Sequence, residues 1–334
     1  MKQLYVLINM FVCAVCMMAC SDKNKEQSST IDTSLTNYVD SLLLTTMDSL
    51  QADSGIVIVV NTESGQVRAI CGGFRAPKEK RQVYCYSEHS SVGQIATLLA
   101  ALETGKLHLI DTVDTGLGYL NIHGRMLKDH SWRVGGFGRL TYEQAFLKRS
   151  NIAVYKAATT AFGENMDSLF AAYARIGYKL QKPKSKVAAN AEFAWNAIGY
   201  GEPITAMDAL EFVNAIANNG KQIALTSSNG TTNVTKEQIA SAENIKAVRS
   251  LFENEDSYIR MNLQKGLSTG LIGSTIQLTD SSNATRYKAE YFGYIPAKQP
   301  RYTIYIGLYK KQLPFSAVRL AGVYEQLAKH LLNQ

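Results

Sequence analysis

Apolar and polar positions alternate along this chain with two periods, and the switches between them outline the elements. From Leu35 to Leu50 the apolar residues Leu35, Val39, Leu42, Leu43, Met47 and Leu50 recur at helical spacing. That pattern predicts a first helix with one face on the core. Gly55-Ile-Val-Ile-Val-Val60 and Gln66-Val-Arg-Ala-Ile-Cys71 flank Asn61-Thr-Glu-Ser-Gly65. Both arms are rich in β-branched residues and the turn holds Asn and Gly, which predicts a β-hairpin. A helical run follows at Ile95-Ala-Thr-Leu-Leu-Ala-Ala-Leu-Glu103, closed by Gly105 as a left-handed cap. Thr141 and Gln144 have capping-box spacing, so a helix should start there and carry Leu147 through Tyr155.

Thr205 as N-cap and Gly220 as stop bracket another helix. Thr226-Ser-Ser-Asn-Gly-Thr-Thr reads as a polar loop. Near the C-terminus, Lys288–Ile295 and Tyr302–Leu308 predict two strands joined by Pro296-Ala-Lys-Gln-Pro300. An amphipathic helix from about Ser316 to Leu332 closes the chain, and no internal repeat is visible.

The N-terminus follows a different rule. Lys2 precedes the apolar run Leu4–Met18, and Ala19-Cys20 follows. The run is short for a membrane span and suits a signal peptide. An uncleaved anchor is the alternative. Residues 21–34 are polar and read as a tether. The expected organisation is a leader over 1–19, Cys20 and a tether over 20–34, and one domain over 35–334.

Composition narrows the class. A hydrophobic content of 46% over 334 residues supplies a real core. The net charge of +7 is spread out, densest at Lys78-Glu-Lys80-Arg81 and Lys182-Pro-Lys184-Ser-Lys186. These stretches read as solvated loops, or as attraction to an anionic envelope polymer or membrane surface. Nothing resembles a nucleic-acid module. Cys13 and Cys16 lie in the leader and Cys20 directly after it, leaving Cys71 and Cys85. In an exported protein they could form a bridge or remain two buried thiols. The histidines do not cluster at ligand spacing, so no metal or other cofactor is expected.

Four stretches carry a family resemblance. Tyr86-Ser-Glu-His-Ser-Ser91-Val-Gly-Gln94 with its helix resembles the active-site helix of penicillin-binding transpeptidases. Arg149-Ser150-Asn151 is similar to the Ser-x-Asn of the class B, division and elongation type. Ala197-Ile-Gly-Tyr-Gly201 running through Thr205 into Phe212-Val-Asn-Ala-Ile-Ala-Asn-Asn-Gly220 is the longest match, and Phe292-Gly-Tyr-Ile-Pro-Ala297 before the last hairpin is another. The resemblance runs from about Gly55 to the end. It implies an α+β, beta-lactamase/transpeptidase-like fold, a five-stranded, mostly antiparallel sheet flanked by helices. Met17-Met-Ala-Cys20 likewise resembles a bacterial lipobox, which implies acylation of Cys20 and a lipid anchor on a bacterial cell membrane, facing the periplasm or the outer surface.

The chemistry that goes with the resemblance is missing. A serine acyltransferase needs a nucleophile with a base, a second proton carrier, and donors for the oxyanion. Ser91 holds the nucleophile position, but Gln94 holds that of the base, and no Ser-x-x-Lys occurs in the chain. Arg149 replaces a serine beside Asn151, and arginine does not shuttle protons near neutral pH. The Lys-Thr-Gly strand is matched by Ser274-Thr275-Ile276, with Ile272-Gly-Ser274 as the other register. Both lack lysine. The reading is a catalytically inactive transpeptidase-like lipoprotein whose old cleft (Ser91, Arg149, Ser150, Asn151, Ser274, Thr275) contacts a peptidoglycan stem peptide or a cell-wall synthesis protein. The alternative is an active D,D-transpeptidase or carboxypeptidase whose base comes from elsewhere, such as Lys148 or Lys265.

Overall fold

The computed structural model describes residues 29–74, 87–180, 189–228, 233–279, 285–311 and 316–334. The leader, Cys20, Cys85 and the lysine-rich stretches at 78–81 and 182–186 lie outside these residues.

The chain builds its sheet from both ends. Strands β1 (Ser54–Asn61) and β2 (Val67–Phe74) form the expected hairpin. After a short outer hairpin, β3 (Tyr119–Ile122) and β4 (Arg125–Lys128), the last third supplies β5 (Gly270–Thr279), β6 (Thr285–Ile295) and β7 (Tyr302–Lys311). The sheet order is β5-β6-β7-β1-β2, and every pairing is antiparallel. Val57 of β1 faces Ile306 of β7, so the two ends of the chain meet in mid-sheet.

Helices cover both faces. On one lie α1 (Thr33–Leu50) and the C-terminal helix Ala321–Leu332; on the other lie α2 (Val92–Leu102), α3 (Tyr142–Leu147), α4 (Asn151–Phe162), α5 (Met166–Arg175), α6 (Ala189–Ala197), α7 (Ala206–Ala217) and α8 (Ala242–Glu253). The β1 sequence shows why three layers are needed. Ile56, Ile58 and Val60 enter one apolar cluster while Val57 and Val59 enter the other. A strand buried on both sides loses the in-out alternation and becomes a continuous apolar run. Helix α2 is the equivalent among helices. All of its residues are buried, as expected for a helix that is apolar all round.

The expected elements are present with shifted ends. Asp32 caps α1 by accepting from the Leu35 N–H at 2.9 Å. Thr141 and Gln144 form the full capping box. One expectation fails: the helix opened at Thr141 does not run through Tyr155. It stops at Leu147, Arg149 takes φ +57°, and α4 starts afresh from Ser150. Ser150 explains the break, because its hydroxyl accepts from the Ala153 N–H at 3.1 Å and caps the second helix. Cys71 is buried in β2, and its thiol donates to the Thr36 carbonyl.

Candidate functional site

Ser91 stands at the N-terminal end of α2, in the deepest layer of the molecule. Two glycines allow this placement. A Cβ on Gly93 would lie 2.6 Å from the Gly199 Cα, and Gly199, at φ +83°, accepts from the Ser90 N–H at 3.2 Å. The neighbouring Ser87–Glu88 strand pairs with Ile204–Thr205. Residues 199–205 thus lie against the segment that delivers Ser91.

The sequence-matched residues fall into two groups. Ser91, Gln94, Arg149 and Asn151 come together. Gln94 Nε2 donates to Asn151 Oδ1 at 2.7 Å, Asn151 Nδ2 donates to the Lys128 carbonyl at 2.8 Å, and Arg149 donates to the Ser91 carbonyl at 3.4 Å. Ser274 lies directly across from Glu290 in the β5–β6 register, and such a pair shares a sheet face. The other group points elsewhere. Ser150 is buried as a helix cap and donates to Asp129 Oδ2 at 2.7 Å. Thr275 Oγ1 accepts from the Ala317 N–H at 2.7 Å, on the α1 side of the sheet. Neither belongs to the cleft lining expected for it, because a helix cap and the two-residue strand period set their directions.

Two charged residues that motif reading passed over organise the centre. Glu290 and Lys288 lie on β6, two apart and therefore on one face. Both side chains are almost wholly buried, with Lys288 Nζ 3.0 Å from Glu290 Oε2. Glu290 Oε1 accepts from the Ser91 N–H at 2.6 Å and from the Ser90 hydroxyl at 3.1 Å. Lys288 also donates to the His89 carbonyl. Burial pulls the Arg149 guanidinium down to about 10, against the attraction of Glu290 that holds it charged. At neutral pH it stays a cation and cannot carry a proton. Burial, reinforced by Glu290, pushes the Tyr200 phenol up to about 12. Charged residues at alternate positions of the strand, Arg286, Lys288 and Glu290, were the available signal.

The surroundings of the Ser91 hydroxyl are enclosed. Ser91 is 2% exposed, and its hydroxyl has no hydrogen-bond partner among the described residues. The amide N–H of a nucleophilic serine is a natural oxyanion donor, and here a carboxylate of the protein itself holds it. The amines considered as substitutes do not reach it. Lys148 is exposed at the end of α3 with its ammonium 5.6 Å from the Phe137 ring, and Lys265 is exposed in the loop before β5. Among the described residues no three His, Cys, Asp or Glu side chains converge as a metal site.

Comparison with known proteins follows the same geometry. The model of the penicillin binding protein transpeptidase domain matches residues 55–327. The transpeptidase domain of Burkholderia pseudomallei penicillin-binding protein 3 superposes with a TM-score of 0.76 at 19% identity, covering 93% of this chain and 97% of that one. A peptidoglycan glycosyltransferase from Burkholderia ambifaria gives 0.75 at 21% identity over 92% and 97%. A peptidoglycan synthetase from Bifidobacterium adolescentis gives 0.74 at 16% identity over 91% of this chain and 61% of that one. At these identities the likeness is one of fold. No curated protein matches the chain at a significant level.

Proposed function

Because the chain belongs to the penicillin-binding protein transpeptidase domain family, we propose that it is a non-acylating member, a binding module of bacterial cell-wall synthesis rather than an enzyme. The observation that carries this reading is the Glu290 carboxylate on the Ser91 amide, next to a glutamine where a base is required. Loss of a general base alone costs about 10²–10⁴-fold in rate. Filling the oxyanion position removes a second, separate contribution. With Ser91 enclosed, the module engages its target, a wall-synthesis protein or a peptidoglycan stem peptide, through surface outside the old cleft. In this reading Cys20 is lipidated after removal of residues 1–19, which holds the domain on a membrane of the cell envelope.

The test is covalent labelling of the folded protein with a fluorescent penicillin, read by intact mass. The expected result is no adduct. A Ser91-dependent adduct, lost in Ser91→Ala, would make the protein an acyltransferase and overturn the proposal.

A further inference from the structure

Between Gly116 and Gly136 the chain leaves the core, forms the β3–β4 hairpin and returns through a tight turn. The inward positions of the hairpin are ordinary, with Ile122 and Leu127 buried. The outward ones are not. Tyr119 is 46% exposed and Met126 43% exposed, where an outer hairpin face in water would be polar. The adjoining turns present Leu117 at 60% and Val134 at 84% exposure.

The turns carrying Leu117 and Val134 meet, and Tyr119 and Met126 share the outer face of the adjoining hairpin. A Cβ on Gly136 would lie 2.3 Å from the Leu117 carbonyl carbon, and one on Gly118 would lie 2.9 Å from the Trp132 Cα. The turn carrying Leu117 is therefore pressed on the turn carrying Val134. Tyr119 pairs with Lys128 across the hairpin, and the Lys128 ammonium sits 4.3 Å from the Trp132 ring, with the Arg133 guanidinium at 5.0 Å. The exposed charges beside this face are Lys128 and Arg133, both cations, whereas Arg125 lies on the other face of the hairpin with its guanidinium 3.9 Å from the Trp195 ring. The segment's one carboxylate, Asp129, is buried and held by Ser150.

We infer that this surface docks on an anionic lipid bilayer, with Leu117, Met126 and Val134 entering the headgroup–acyl boundary, Trp132 and Tyr119 at the interface, and Lys128 and Arg133 on lipid phosphates. An exposed apolar patch of this kind marks a protein or a membrane partner. The centre of a protein interface is depleted of charge and its charged groups lie at the rim. Here cations are interleaved with the apolar side chains, and their stems can lie along the apolar boundary while their heads reach phosphate. The indole and phenol suit the same depth. The absence of any exposed carboxylate between Gly116 and Gly136 fits a negatively charged surface. The inference does not depend on whether the protein acylates, nor on lipidation at Cys20.

Trp132 reports directly on this surface. In the full chain with Trp195→Phe it is the only tryptophan. Vesicles of equal phosphatidylglycerol and phosphatidylcholine, with bromine on the lipid tails, should shift its emission to the blue and quench it. Pure phosphatidylcholine vesicles should do so at least tenfold more weakly. Leu117→Asp with Val134→Asp should abolish quenching while far-ultraviolet circular dichroism and melting stay unchanged. If Trp195→Phe does not fold, the wild-type chain and Trp132→Phe form the pair, and quenching should vanish in the latter. An unquenched Trp132 in protein that sediments with the vesicles would overturn the inference, since the N-terminal segment alone would then bind lipid. Quenching that survives the double aspartate variant would overturn it too.

Discussion

At the scale of single residues, the centre of the molecule is decided by Gln94 and Glu290 together. Gln94→Lys restores an amine one turn after Ser91. It should still give no penicillin adduct by intact mass, because Glu290 keeps the Ser91 amide. An adduct in that variant would mean that the base was the only missing part. Glu290→Leu should lower unfolding free energy in denaturant by about 3–5 kcal/mol, since it strands the buried Lys288. Adding Lys288→Met should recover most of that loss, because a buried ion pair replaced by apolar groups of similar size is often neutral. No recovery would show that Lys288 is held mainly by contacts other than Glu290. Gln94 was legible as a departure from a motif. Glu290 was not, because its role depends on a strand two hundred residues away in sequence from the serine it serves.

At the scale of elements, capping and close approach set the geometry. The capping box at Thr141 was readable from two letters three positions apart. The break before α4 was not, because Ser150 is held as a cap by donating its hydroxyl hydrogen bond to Asp129, which also accepts from the Ile152 N–H. Burial raises the Asp129 carboxyl above its ordinary range, against those two hydrogen bonds. A raised folded value means that the group's contribution to stability is full below the unfolded pKa of about 3.9 and is lost as pH climbs through the folded value. Asp129→Asn should therefore lose less stability than wild type as pH climbs from about 4, measured by denaturant unfolding. Parallel curves would remove Asp129 from the account. Gly199→Ala combines a left-handed backbone with a Cβ 2.2 Å from the Ser90 carbonyl oxygen. It should cost about 2–4 kcal/mol and displace the Ser90–Ser91 corner, read by denaturant unfolding and by amide exchange at Ser91.

At the scale of the whole molecule, the two ends of the chain share one sheet and the middle supplies the helical layer that carries Ser91. The burial of Ser91 and the exposure of apolar side chains at 117–134 belong to one arrangement. Gln94, Asn151 and Arg149 are turned inward around Ser91, and the outer hairpin leaves Tyr119 and Met126 exposed. Asn151 joins the two, since it bonds Gln94 on one side and the Lys128 carbonyl on the other.

Local pattern was enough for what depends on neighbours in sequence. The β1–β2 hairpin, the capped helices, the apolar helix after Ser91 and the replacement of the base by Gln94 all rest on periods of two or 3.6 residues, on turn chemistry, or on a motif with one wrong letter. Tertiary structure alone decided that β6 brings Lys288 and Glu290 beneath Ser91, that Ser150 and Thr275 turn away, and that the turns carrying Leu117 and Val134 meet. Each of these joins residues distant in the chain, and a side chain's direction across such a join is set by sheet register and packing rather than by its neighbours in sequence.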